Sequence, residues 1–105
     1  MIYRIEDIEA KELLPGFSGR FVHGENSTLA FWDIKEGAAL PAHSHHHEQT
    51  SQVLEGRFEL TVNGESRIYE PGTVVVIPSH AEHSGRALTD CKILDTFCPA
   101  REEYK

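Results

Sequence analysis

The stretch "GAALPAHSHHHEQTSQVLEG" (residues 37–56) packs four of the chain's seven histidines into five positions. Such density points to metal binding, because neutral imidazole is the commonest protein ligand for divalent transition metals. The run lies mid-chain and is broken by Ser44, unlike an appended tag. Strand parity says which rings converge. Residues i and i+2 of a strand face one side, so His43 and His45 point together and His46 points away. His47 and Gln49 share that parity only if the chain stays straight between 45 and 49.

Working outward, "GTVVVIPSHAEH" (72–83) supplies His83 as the candidate third imidazole, and His80 is placed at a cavity rim. The β-branched run in "TVVVIP" predicts a strand buried on both faces. "STLAFWDI" (27–34) and "CKILDTF" (91–97) read as further strands. Asn63-Gly64 tolerates the positive φ angles of a type I′ turn, so residues 57–69 predict a hairpin with Phe58, Leu60 and Val62 on one face. Turn signals at 14–16, 23–26, 35–37 and 70–72 punctuate the rest. A helix has room only in the first fifteen residues and the last seven, where Pro99 can open a turn. Short strands with tight turns and no intervening amphipathic helices indicate an all-β sandwich or barrel, whose interior can hold one ligand.

At 105 residues the chain fits one domain, 1–105, and 39% hydrophobic residues suffice for a packed core. A formal net charge of −7 argues against nucleic-acid and anionic-membrane partners, both of which need a basic patch. It leaves room for a small acidic substrate held by one well-placed arginine. "MIYRIEDIEAKELLPG" has no apolar core of the kind a signal peptide needs, and no stretch approaches a membrane span, so a cytoplasmic protein is expected. Cys91 and Cys98 are read as free thiols. His23, isolated from the other histidines, is read as a surface or packing residue.

The spacing of the histidines matches a known pattern. Gly37, five residues, His43-Ser44-His45, three residues, Gln49, six residues and Gly56 reproduce the first cupin motif. Gly72, five residues, Pro78 and then His83 reproduce the second. The chain therefore resembles a single-domain cupin of the cupin-2 group over about residues 27–98. That resemblance implies a double-stranded β-helix, or jelly-roll barrel. Three departures stand out: Gln49 replaces the usual glutamate, His80 a glycine and Ala87 an asparagine. The amide at 49 matters electrically. Three imidazoles and an amide leave a divalent ion its full double charge, which suits a Lewis acid better than iron redox cycling. His46 and His47 are read as surface or supporting residues.

"ILDTFCPAR" (93–101) holds the second clue. Ile93, Asp95 and Phe97 share one strand face, and a carboxylate among apolar neighbours needs a partner or a task. Asp95 could serve as a general acid/base and Arg101 could clamp a carboxylate, or the two could form an ion pair that pins the tail. Together with "HSHHHEQTSQVLEG", "LDTFCPAREEY" is similar to the KdgF-type pectin-degradation cupins. That resemblance implies conversion of 4,5-unsaturated uronates, the products of pectin and alginate lyases, to linear 5-keto-4-deoxyuronate. It implies one divalent metal (nickel, zinc, manganese, iron or cobalt) on His43, His45, Gln49 and His83. It also implies catalytic and substrate-binding roles for Asp95, Phe97 and Arg101, and a homodimer. An iron(II) dioxygenase and a non-catalytic metal- or ligand-binding cupin are the alternatives from other classes.

Overall fold

The computed structural model describes all 105 residues and consists of ten strands with a short 3-10 turn at each end, Ile5–Asp7 and Glu102–Tyr104. The strands are β1 (Lys11–Leu14), β2 (Phe17–His23), β3 (Thr28–Ile34), β4 (Ala39–His43), β5 (Glu48–Glu55), β6 (Phe58–Val62), β7 (Glu65–Tyr69), β8 (Val74–Ile77), β9 (His83–Ala87) and β10 (Cys91–Cys98). They form a six-stranded sheet, ordered β1-β2-β3-β10-β5-β8, and a four-stranded sheet, ordered β4-β9-β6-β7. Every pairing is antiparallel. This is the all-β jelly roll expected from the motifs.

Alternation fills the space between the sheets. Ala30, Trp32 and Ile34 of β3 and Cys91, Ile93 and Phe97 of β10 turn inward, where Phe58 and Leu60 of β6 meet them. A fully buried Ile, Leu or Phe contributes about 1.5–3 kcal/mol. The hairpin forms as read: Val62 pairs with Glu65 across Asn63 and Gly64, whose φ angles of 49° and 81° are those a type I′ turn requires.

Two expectations are corrected. Residues 11–14 of the N-terminal segment form a strand rather than a helix, because Pro15-Gly16 turns the chain so that β1 lies along β2. Only Ile5–Asp7 coils, for a single turn. The "TVVVIP" strand is buried on one face, not two. β8 is the edge of the six-stranded sheet, so Ile77 faces the core while Val74 and Val76 are 59% and 57% exposed.

Candidate metal centre and active-site cavity

The sequence brings the histidines together by two routes. His43 ends β4 and pairs directly with His83 at the start of β9, which sets their rings 4.2 Å apart on the four-stranded sheet. β4 stops there. The link 44–47 crosses between the sheets, with bends at His46 and His47, and carries His45 to 5.0 Å from the His83 ring. The bend means that Gln49 arrives from the other side, on β5 of the six-stranded sheet. Its Oε1 lies 3.2 Å from His45 Nε2. All four expected ligands thus meet, although strand parity alone accounts for only part of the set.

The tautomers suit a metal. Nδ1 of His43 donates to the Pro41 carbonyl (2.9 Å), that of His45 to the His47 carbonyl (3.0 Å) and that of His83 to the Ala81 carbonyl (3.0 Å). A carbonyl only accepts, so Nδ1 carries the proton and Nε2 keeps its lone pair in each neutral ring. One ligand atom from each of the three rings falls within 4.8 Å of the others. His83 Nε2 is buried with no hydrogen-bond partner. In this tautomer, His45 Nε2 and Gln49 Oε1 are both electron-pair donors, as expected of two ligands for one cation. Burial, followed by the Arg101 charge, lowers His45 to about 4, and burial also lowers His83. Both rings are therefore neutral and ready for a metal at pH 7. The donor set fits a divalent transition ion.

The remaining expected residues face this cluster across a cavity of about 350 Å³, within the usual range for small-molecule sites. β10 contributes Asp95 and Phe97, both buried. Register places Asp95 opposite Ser51 and Phe97 opposite Gln49. Burial pushes the Asp95 carboxyl up to about 6, opposed by the Ser51, Gln49 and Trp32 side chains and by the Arg101 charge. Asp95 Oδ1 has no hydrogen-bond partner. No ion pair joins Asp95 to Arg101; the guanidinium pairs with Glu103 instead. The reading of these two residues as a pair that pins the tail therefore fails.

Residues around the cluster divide into two groups. His46 is exposed, whereas His47 is buried with its ring 5.4 Å from that of His45, and its carbonyl orients the His45 ring. His80 is exposed and does not line the cavity, but its N–H donates to the His45 carbonyl at 2.8 Å. His23 is a packing residue, hydrogen-bonded to Thr28 Oγ1. Cys91 and Cys98 are free thiols. Sequence reasoning missed Trp32 and Ser51 beside Asp95, and Glu103 and Tyr104 beside Arg101. Inward strand parity could have found the first two, but nothing in "REEY" marks the others.

A family model for the cupin domain, Cupin_2, matches residues 30–97. The chain belongs to the cupin family. Over 71 residues this cupin is 32% identical to the pectin degradation protein KdgF of Dickeya dadantii, a match covering 66% of this chain and 64% of that relative's length. Its fold is similar to that of KdgF from Halomonas sp., with a TM-score of 0.94 and 27% identity, covering 100% of this chain and 98% of that one. An RmlC-like cupin from Shewanella frigidimarina gives the same TM-score and identity over 99% and 95% of the two chains. Oxalate decarboxylase of Bacillus subtilis shares the fold alone, at 23% identity and a TM-score of 0.80, over 92% of this chain and 29% of that one. This cupin contains no helix long and apolar enough to cross a membrane.

Proposed function

We propose that this cupin is a metal-dependent enzyme that converts 4,5-unsaturated uronates to linear 5-keto-4-deoxyuronate. One observation carries the reading: a three-histidine cluster, two of whose rings line a cavity, shares that cavity with a buried acid that has one oxygen without a hydrogen-bond partner and with an arginine. The likeness to KdgF proteins, one of them a pectin degradation protein, supports a pectin-derived uronate as the substrate. His43, His45, Gln49 and His83 would hold the ion, which when bound supplies Lewis acidity toward substrate oxygens.

The chain's own groups supply the rest. Reactant and product are isomers, so the reaction needs proton movement and no redox partner. Opening of the hemiacetal breaks the bond between C1 and the ring oxygen, leaving an aldehyde at C1 and an enol at C5. A proton delivered to C4 then turns the enol into the ketone. Asp95, raised to about 6, populates both protonation states near neutrality and moves that proton. Arg101 binds the substrate carboxylate, and Phe97 packs against the sugar ring. The neutral imidazole and amide set favours this Lewis-acid reading over iron-dependent oxygen chemistry.

The test follows the ultraviolet absorbance of a 4,5-unsaturated uronate monosaccharide. It is compared with spontaneous ring opening and with metal-stripped protein. Metal-dependent acceleration is expected. Protein that carries its metal and accelerates nothing would sink the reading.

A further inference from the structure

Arg101 lies 9% exposed in the cavity wall, and its side chain is held from several directions. The guanidinium carbon sits 4.7 Å from the centroid of the Phe97 ring and 4.3 Å from that of the Tyr104 ring. Those two rings stand 5.8 Å apart at 81°, so the cation rests in a corner of two aromatic surfaces. Nε donates to the Glu103 carboxylate. The backbone N–H donates to Thr28 Oγ1 at 2.8 Å, and Thr28 is fully buried. The two terminal nitrogens form no hydrogen bond within the protein.

We propose that Glu103 and Tyr104 are positioning residues that turn Arg101 into a fixed two-pronged fork for the carboxylate of a uronate. This rests on the proposed role of Arg101 in the uronate reading, and it adds the device that makes the fork specific. A free arginine offers five N–H donors on a flexible stem, and a carboxylate can dock on its side edge or on its end. Glu103 takes the side edge by occupying Nε. That leaves the terminal NH1/NH2 edge, which matches two carboxylate oxygens with two parallel hydrogen bonds. Tyr104 and Phe97 fix the position of the plane through cation–π contact.

The two residues belong to one 3-10 turn, Glu102–Tyr104, directly after Arg101. Tyr104 also packs on Phe21 at 4.8 Å and on Trp32 at 6.2 Å, so the turn is anchored to β2 and β3. Residues 102–104 thus form a packed wall of the site. Because the alignment is built in, little side-chain freedom remains to be lost when the carboxylate docks.

Calorimetric titration with galacturonate, a saturated uronate that lacks the reacting double bond, reads the fork without turnover. Galactose serves as the uncharged control. The variants are Glu103→Ala, Glu103→Gln, Tyr104→Leu, Tyr104→Phe and Arg101→Ala, with thermal melting to confirm folding. Glu103→Ala and Tyr104→Leu should each weaken galacturonate binding about fivefold or more. Glu103→Gln keeps an acceptor for Nε, and Tyr104→Phe keeps the ring face, so both should stay within about twofold of wild type. In turnover, the two weakened variants should raise KM while leaving kcat nearly unchanged.

Wild-type binding in Glu103→Ala and Tyr104→Leu, with binding lost in Arg101→Ala, would overturn the positioning role and leave the clamp standing. Unchanged binding in Arg101→Ala, or no galacturonate binding by wild type, would overturn both. The expected binding pattern without turnover would keep the fork and defeat the uronate reaction.

Discussion

Asp95 is a buried carboxyl group without a cationic partner, and the chain pays for that position in stability. Its pKa rises from 3.8 to about 6 on folding, so the folded state binds the proton more tightly than the unfolded chain. That contribution is fully present below pH 3.8 and is lost as pH rises through about 6. Asp95→Asn removes the charged state. The variant should therefore gain stability relative to wild type as pH rises from 4 to 8, approaching about 3 kcal/mol for a shift of roughly two units. Urea melts of metal-free protein at several pH values measure this, and a constant difference across the range would refute it. The same variant should retain its metal, because the four candidate ligands are untouched, yet turn over at least about a hundredfold more slowly. Turnover at the wild-type rate would remove the proposed acid/base role from Asp95.

The histidines yield the complementary prediction. His83 Nε2 is buried without a partner, so the His83→Ala variant loses the atom best placed to be a ligand. Elemental analysis after metal loading and desalting should then find far less than the wild-type content. Metal bound only by the folded protein also stabilises it, by about 2.7 kcal/mol at one hundred times the dissociation constant. Chelation should accordingly lower the wild-type Tm and leave that of His83→Ala nearly unchanged. Equal Tm losses in the two proteins would place the metal elsewhere.

At the scale of elements, the turn between β5 and β6 depends on a glycine. Gly56, between β5 and β6, has φ +89°, and a Cβ there would lie 2.2 Å from the Asp90 carbonyl oxygen. Gly56→Ala combines a disfavoured backbone conformation with a clash against main chain, so about 2–4 kcal/mol of stability should be lost. A shift in the urea midpoint measures it, and a loss below about 0.5 kcal/mol would contradict the packing described.

Gly56 was also legible from sequence as the end of the first motif, as were the Asn63-Gly64 hairpin and the inward face of β10. These features were legible because each is local: a turn residue at a fixed position, or alternation within one strand. What alternation within one strand does not give is where the chain bends and how distant strands pair. Gln49 comes from the sheet opposite His43 because the chain bends at 46–47, and Ser51 meets Asp95 through register between β5 and β10. β8 looked fully buried because three valines in a row do not reveal which strand becomes an edge. The burial of His47 likewise follows from the bend, not from its parity.

At the scale of the whole molecule, the same valines carry the last argument. β8 closes the six-stranded sheet, and its outer edge has no neighbouring strand to pair with. Beside that edge, Val74 and Val76 are more than half exposed, and Leu54 on β5 is 45% exposed. Their register partners Gln52 and Thr50 continue the same outer face across the sheet. An unpaired edge beside exposed apolar side chains invites another strand, and proteins ordinarily blunt such an edge with charge or proline. None of Val74, Val75, Val76 and Ile77 is either. We propose that a second copy covers this region and that the protein is a homodimer.

The metal cluster lies between the sheets, with its imidazoles on the four-stranded sheet and the 44–47 link, away from the outer face of β8. Assembly and metal binding should therefore separate. Substitution of Val74 and Val76 by lysine should give a monomer by light scattering coupled to gel filtration, with metal content as in wild type. A wild-type protein that runs as a monomer at micromolar concentration would refute the dimer. A double variant that stays dimeric would move the interface to another edge, of which β1, β4 and β7 remain.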